Sequence, residues 1–318
     1  MKYMNKRNKW TFTIAIVLLM FLSIDSVAQE ATTDEVKSKS SKKIKKKRKK
    51  KKKYKLPEID LAHWSVTIPE LKPLSEVKKG KKRGALSIQP PEVANYATNE
   101  TLKPYMYNDS TSGALVFYAF PTNATTANTK YSRSELREQM VSGDNHTNWT
   151  FADGGYMRAV IQMDEVSKKS NGKYHRAIIA QIHGRLTNEQ RDLIGQKDNN
   201  APPILKVYWD NGKIRVKTKV LKYAGVSQEG ILHKEAWGDD KGRNFEEKVD
   251  FKKFILEVKI SDGKMVVALN KNEFFVYDDI SIKRWGVFEN YFKAGNYFQS
   301  RDEGSYAKVK IYELEATH

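Results

Sequence analysis

Three short segments carry residue types that could act together on a charged substrate. The first is Tyr131-Ser-Arg-Ser-Glu-Leu-Arg-Glu-Gln139. If it is extended, Arg133, Glu135, Arg137 and Gln139 share one face, because successive side chains of a strand alternate. Two arginines held apart by a carboxylate form a cationic row able to bind carboxylates in forked geometry, or else a salt-bridge ladder on a solvated face. The second segment, Ala177-Ile-Ile-Ala-Gln-Ile-His-Gly184, brings Gln181 and His183 to one face at the end of an apolar run. Six histidines occur, at 63, 146, 175, 183, 233 and 318, and a lone histidine is usually structural. His183 differs in standing two residues from an amide, before a glycine and a long loop, where a rigid platform could present a base. The third segment is Asn290-Tyr-Phe-Lys-Ala-Gly-Asn-Tyr-Phe-Gln299. Parity sets Tyr291, Lys293, Tyr297 and Gln299 against Phe292, Ala294 and Phe298. The Phe side suits a core, whereas the other is either a working face or a wet outer face with tyrosine ladders.

The elements that must hold these segments read as β-structure. From Leu56 onward there is no sustained helical periodicity, and many short segments alternate. Lys213–Val220 places Ile214, Val216, Thr218 and Val220 on one face and cations on the other. Asn211-Gly212 joins it to Lys206–Trp209, a hairpin signal. Asp262-Gly263 joins Phe254–Ile260 to Lys264–Leu269 in the same way, and Ala114–Phe120 and Tyr306–Leu314 are further strands. Many strands, few helices and one core predict an all-β sandwich of two antiparallel sheets. Leu186–Pro203 is polar, ends in Pro202-Pro203 and reads as a long loop with a helical turn near Asn188–Ile194.

The flanks have other jobs. The chain of 318 residues carries 57 Lys and Arg against 38 Asp and Glu, a net charge of +19. Residues 1–55 hold 18 basic and 4 acidic side chains, leaving 39 and 34 for the remainder. The totals therefore do not describe a basic fold of the nucleic-acid-binding type, and no nucleic-acid partner is expected. Lys2, Lys6, Arg7 and Lys9 precede the apolar run Thr11–Ile24, and Ser26-Val27-Ala28 follows. That order predicts a signal peptide over residues 1–28. The 14-residue run is shorter than the roughly 20 residues a spanning helix needs, so no stable membrane insertion is expected. A lysine-rich, disordered tether is expected over 29–55, where eleven of the twelve residues from Lys42 to Lys53 are basic. It serves as a solvated linker or as electrostatic capture of a polyanion. The folded domain is then expected over 56–318, and the mature protein is expected outside the cytoplasm, secreted, periplasmic or at the cell surface. Cysteine is absent, which excludes disulfides, thiolate zinc sites and Cys nucleophiles.

Taken together, Arg-Ser-Glu-Leu-Arg (133–137), Gln-Ile-His (181–183) and Tyr-Phe-Lys-Ala-Gly-Asn-Tyr-Phe-Gln (291–299) resemble the three signature strands of the alginate lyases of polysaccharide lyase family 7. Trp64-Ser-Val-Thr-Ile-Pro69 is similar to that family's usual start, and the resemblance runs from about Ile59 to Leu314. Phe298 departs from it, where the family often has a polar residue, but parity turns it from the groove. The resemblance implies a β-jelly-roll with a concave substrate groove, acting as a monomer without cofactor or metal on alginate or a related acidic polysaccharide. It implies β-elimination, leaving an unsaturated sugar at the new non-reducing end. Such a reaction removes the weakly acidic C5 proton beside the uronate carboxylate, so donors must neutralise that carboxylate as charge develops. A base must reach C5 and an acid must protonate the departing O4. The catalytic set carried over is Arg133 and Gln181 on the carboxylate, His183 as base towards guluronate, and Tyr297 as acid. Towards mannuronate, Tyr297 serves as both. Arg137, Tyr291, Lys293 and Gln299 line flanking substrate-binding subsites, and Glu135 orients the arginines there. Gln-Ile-His rather than Gln-Val-His resembles members that accept guluronate-containing blocks.

Two other readings compete. Glu58-Ile-Asp-Leu61 is similar to part of the Glu-x-Asp-x-x-Glu motif of laminarinase-like glycoside hydrolases, but His63 stands where the acid–base Glu belongs. A retaining hydrolase needs two carboxylates about 5 Å apart. The other reading is a non-catalytic module that binds an acidic polysaccharide through the same cationic face. Binding alone does not call for a His and a Tyr at one station with Arg and Gln.

Overall fold

The computed structural model describes residues 55–318 except 78, 81, 127 and 128. The expected signal peptide, and all of the tether but Lys55, lie outside the described residues. In chain order the strands are β1 (Glu58–Ile59), β2 (Trp64–Leu71), β3 (Ala85–Ile88), β4 (Met106–Asp109), β5 (Ala114–Ala119) and β6 (Arg133–Glu138). Next come β7 (Gly155–Val166), β8 (Ala177–Arg185), helix α1 (Asn188–Leu193), β9 (Asn200–Asp210) and β10 (Lys213–Leu221). The remainder is β11 (Trp237–Asp239), β12 (Arg243–Lys248), β13 (Phe254–Ser261), β14 (Lys264–Leu269), β15 (Glu273–Tyr277), helix α2 (Ile280–Trp285), β16 (Glu289–Phe298) and β17 (Ala307–Thr317).

These strands form two sheets packed face to face, the antiparallel sandwich expected from the alternation and the jelly-roll that the resemblance implied. One has eight strands in the order β15-β14-β13-β7-β17-β5-β4, with β1 beside β17. The other has nine, in the order β11-β10-β9-β8-β16-β6-β2-β3, with β12 against β10. Pairing is antiparallel except for β1 on β17. That short parallel pair places Glu58 at the margin of the eight-stranded sheet, against Glu313. The hydrolase-like Glu58-Ile-Asp segment is thus outside the sheet that carries the three signature strands.

Alternation decides which face each strand buries. In β7, Met157, Ala159, Ile161 and Met163 point inward, as do Leu256 and Val258 of β13 and Val309 and Ile311 of β17. They share one core with Val207 and Trp209 of β9, Ile214 and Val216 of β10, and Phe292, Ala294 and Phe298 of β16. Phe298 faces the core, as parity required. The β9–β10 hairpin turns through Asn211 at φ 52° and Gly212 at φ 89°, the left-handed pair that matches strand twist.

Two irregularities bear on the groove. Core contact in β8 passes from Ala177 and Ile179 to Ala180 and Ile182, breaking parity where the β8–β9 register shifts between Ile178 and Ala180. This bulge keeps Ile178, Gln181 and His183 on the face turned from the core, the groove face. The second concerns Pro202-Pro203, expected to end a loop but found inside β9. The β8–β9 register shifts between Ile182 and His183 and again between His183 and Arg185, while β10 pairs with β9 only from Leu205 onward. Prolines are tolerated there because the ladder they cannot donate to is already interrupted. The expected helical turn is α1, closed by a capping box between Thr187 and Gln190.

Candidate active site

Three adjacent strands bring the signature segments together. Register pairs Tyr297 with Arg133, Gly295 with Glu135 and Lys293 with Arg137 across β16 and β6. On its other side β16 pairs Lys293 with Gln181 and Tyr291 with His183 of β8. Gly295 is required here: its φ is 138°, and a Cβ would lie 2.7 Å from the Ser134 carbonyl oxygen and 2.9 Å from Glu135 Cα.

Glu135 is the hub. It is fully buried, and both its oxygens are taken by protein donors. Arg133 Nη1 donates to Oε2 at 2.8 Å and Lys293 Nζ to the same oxygen at 2.5 Å, while Gln181 Nε2 donates to Oε1 at 2.5 Å. Burial would raise the Glu135 carboxyl, but Lys293 and Arg133 overcome it and hold the group below the usual carboxylate range. An ionised carboxylate only accepts, so it fixes which end of the Gln181 amide faces it and turns the amide oxygen elsewhere. Glu135 has no free oxygen to offer a ligand, so it positions its neighbours instead of touching substrate.

This corrects one expectation in part. Glu135 orients Arg133 but not Arg137, whose Nη1 donates to the Glu138 carbonyl and whose Nη2 donates to the Asn145 carbonyl and Asn148 Oδ1. Arg137 instead stacks on Tyr291, its Cζ 4.0 Å from the ring centre. Gln299 lies just past the end of β16, where its amide donates to the Tyr297 carbonyl.

Arg133 carries the unsatisfied chemistry. It is 5% exposed, and its Cζ lies 3.7 Å over the Tyr297 ring. Nη1 is held by Glu135, but Nε and Nη2 have no hydrogen-bond partner. Those two atoms form one edge of the guanidinium, the edge that grips a carboxylate through two parallel bonds. Buried donors without partners are uncommon and costly, and this unpaired edge has the geometry to receive a carboxylate.

His183 is half-buried and stacks on Tyr291, with ring centres 5.3 Å apart and planes at 13°. Its Nδ1 lies 3.0 Å from the Gly184 carbonyl, which accepts only from the Nδ1–H tautomer. The Nε2 lone pair is therefore free. Burial, helped by the nearby Lys293 and Arg133 charges, pushes the imidazole down to about 3, so the ring is neutral. Burial raises the Tyr297 phenol against the lowering influence of Arg133, and the hydroxyl keeps its proton. Lys293 is pushed down to about 8 by burial and Arg133, against the pull of Glu135. The face thus brings together a guanidinium whose buried Nε–Nη2 edge is unpaired, an amide, a neutral imidazole and a protonated phenol.

Glu138 and Arg185 also belong to this region and were not singled out in the sequence. Glu138 is buried and receives Trp149 Nε1 and the Phe292 N–H at 2.9 Å each, and His318 Nε2 at 2.8 Å. It fastens β16 from behind. Its signal was available, since parity with Leu136 puts an acid on the core side, where it needs partners. Arg185 continues the Gln181–His183 parity one step further and pairs with Glu289.

Another constellation has a different meaning. His175 Nε2 lies 2.7 Å from Asp302 Oδ2 and its Nδ1 3.0 Å from Ser167 Oγ, a Ser-His-Asp set. The Ser167 hydroxyl donates to the Tyr306 carbonyl and accepts from the Tyr306 N–H. With its proton so held it is no nucleophile, and the cluster ties the end of β7 to the start of β17. Among the described residues, no three His, Cys, Asp or Glu side chains are grouped to hold a metal.

The family model for alginate lyase matches residues 59–318. Among solved structures, alginate lyase A1-II', a member of polysaccharide lyase family-7, is 27% identical with a TM-score of 0.63, over 82% of this chain and 96% of that one. A variant of it in complex with substrate (GGMG) gives 26% identity and a TM-score of 0.62, over 82% and 94%. The alginate lyase from Klebsiella pneumoniae shares the fold at 21% identity and a TM-score of 0.58, over 82% and 97%. No curated protein sequence matches.

Proposed function

The chain belongs to the alginate lyase family and is a polysaccharide lyase; from that premise we propose that it cleaves the 4-linked uronates of alginate by β-elimination, accepts guluronate-containing blocks and releases unsaturated oligouronates. The observation that carries this reading is the Arg133 Nε–Nη2 edge, buried and unpaired beside a neutral imidazole and a protonated phenol.

The steps follow from those groups. The carboxylate of the sugar to be cleaved takes the Arg133 Nε–Nη2 edge and the remaining Gln181 N–H, and these donors stabilise charge as C5 loses its proton. His183 Nε2 accepts that proton from guluronate. The bound carboxylate also offsets the Lys293 and Arg133 charges that lower the imidazole, so the base strengthens when substrate is in place. Tyr297 then protonates O4 as the C4–O4 bond breaks, and a C4–C5 double bond remains. Arg133 over the phenol face stabilises the phenolate left behind. For mannuronate, whose C5 proton faces the other way, Tyr297 takes both roles: entering as the phenolate that Arg133 favours, it removes the C5 proton and returns it to the departing O4. Tyr291, Lys293 and Gln299 contact neighbouring units.

An export signal over residues 1–28, a tether over 29–55 that captures polyanion and a monomeric secreted enzyme over 56–318 complete the proposal. Digestion of separate polyguluronate, polymannuronate and mixed blocks tests it. Unsaturated products absorbing in the ultraviolet are expected, with guluronate-containing blocks cleaved. Products with plain reducing ends, or none, would overturn it. Loss of polyanion binding at low salt on deleting residues 37–55 is the outcome expected for the tether.

A further inference from the structure

The groove face is not symmetric about the catalytic strands. Across five neighbouring strands, register aligns Arg137, Lys293, Gln181, Lys206 and Lys217 in one row. The row runs across the strands, with a step of about 4.8 Å from one strand to the next. That step is close to the length of a pyranose unit. On the far side of β6 the same face is neutral: Ser65 pairs with Arg137, and Thr67 Oγ1 lies 2.9 Å from Ser87 Oγ.

Beyond β8 the balance is cationic. Asp239 is 2.7 Å from Lys219 Nζ and 3.7 Å from Lys206 Nζ. Lys217, beside Lys206 in register, has no ion-pair partner among the described residues. Lys206 and Lys219 therefore share one carboxylate, and Lys217 stands beside them without one. Burial, with Lys219 and Lys217 nearby, pushes the Lys206 ammonium down despite Asp239, as expected of a cluster short of negative charge. Arg215, next in line on β10, is held by Asn244 and the Lys241 carbonyl and leaves the lysines as the available donors.

We infer that Lys206, Lys217 and Lys219 form an extended subsite for the carboxylates of uronate units on the β10 side of the cleaved ring, so that chain length is sensed on that side alone. This rests on the lyase reading above. Lysine ammoniums act there as point charges and gather successive carboxylates without demanding one sugar epimer. The site thus favours long polyuronates of either composition, while Arg133 and His183 choose among rings at the point of cleavage.

The test uses the full chain with Lys217→Gln and with Lys206→Gln/Lys217→Gln, and Lys259→Gln on the exposed face of β13 as a charge control. KM for polymeric alginate should rise about fivefold or more in the double variant, with a shallower dependence on salt. KM for the shortest oligouronate that is cleaved should move less than twofold. Binding of the polymer to the same lysine variants in a Tyr297→Phe background should weaken in parallel, a readout that needs no turnover. Equal shifts for long and short substrates, a polymer KM within twofold of wild type, or the same loss in Lys259→Gln would overturn the subsite. Absence of lyase activity in the wild-type chain would instead fail the reading it rests on, and the binding measurement separates the two.

Discussion

The solvent face of the eight-stranded sheet and the groove face of the nine-stranded sheet are built from the same alternating, charge-rich strands, yet they settle their charges differently. On the former, cations meet acids across strands. Arg158 pairs with Glu313, Lys308 with Glu165, and Lys310 with both Asp109 and Asp164. Those partners keep contact with solvent. On the groove face one acid, Glu135, is wholly buried under two cations and an amide, and Arg133 keeps two donors without partners. Alternating charge is therefore no sign of function in itself. What marks a site is a charge balance that does not close without a ligand.

Breaking the groove-face arrangement should give the largest effects. Tyr297→Phe removes the proposed proton donor and should lower kcat by about a hundredfold or more, followed through product absorbance. Arg133→Ala should cost a similar factor in kcat/KM. Glu135→Gln leaves Arg133 and Lys293 buried without their anion and should destabilise by about 3 kcal/mol or more in denaturant titration, with turnover reduced as the fork loses its anchor. Gly295→Ala, at φ 138° and against the Ser134 carbonyl, should destabilise by roughly 1–3 kcal/mol.

The pH profile sharpens the contrast further. Because His183 is held down to about 3, kcat/KM should show no acid limb near the ordinary histidine value of about 6.5. Lys293 loses its proton as pH rises through about 8, so kcat/KM should fall there, and Lys293→Arg should move that fall upward. A limb near 6.5 would instead place the free-enzyme imidazole at its ordinary value and contradict the lowering by burial, while leaving its role as base intact. The smallest effect belongs to the other sheet. Glu313→Ala should change stability by no more than about 1 kcal/mol and leave kcat/KM within twofold, since exposed ion pairs contribute little.

Much of the site was legible along the chain because strand parity is a local property. Arg133, Gln181, His183 and Tyr297 fall on one face by counting in twos, Phe292 and Phe298 on the other, and Asn211-Gly212 announces its hairpin without reference to anything distant. The same counting missed Glu138, an acid on the core side, because attention to the polar face hid a charge whose partners lie elsewhere. It also read Pro202-Pro203 as the end of a loop, since proline's local preference says nothing about a ladder already interrupted by register shifts.

Local pattern thus settled which residues share a face, where the chain turns and what the core is made of, because those depend on neighbours a few residues apart. Tertiary structure alone decided which charge meets which. Glu135 and Lys293 are 158 residues apart in sequence, and only the order β8-β16-β6 puts them in contact. That order, with the β8 bulge that keeps Gln181 and His183 outward, determines whether a guanidinium is neutralised in a surface ladder or left open to bind, and no local preference encodes a register between strands so far apart.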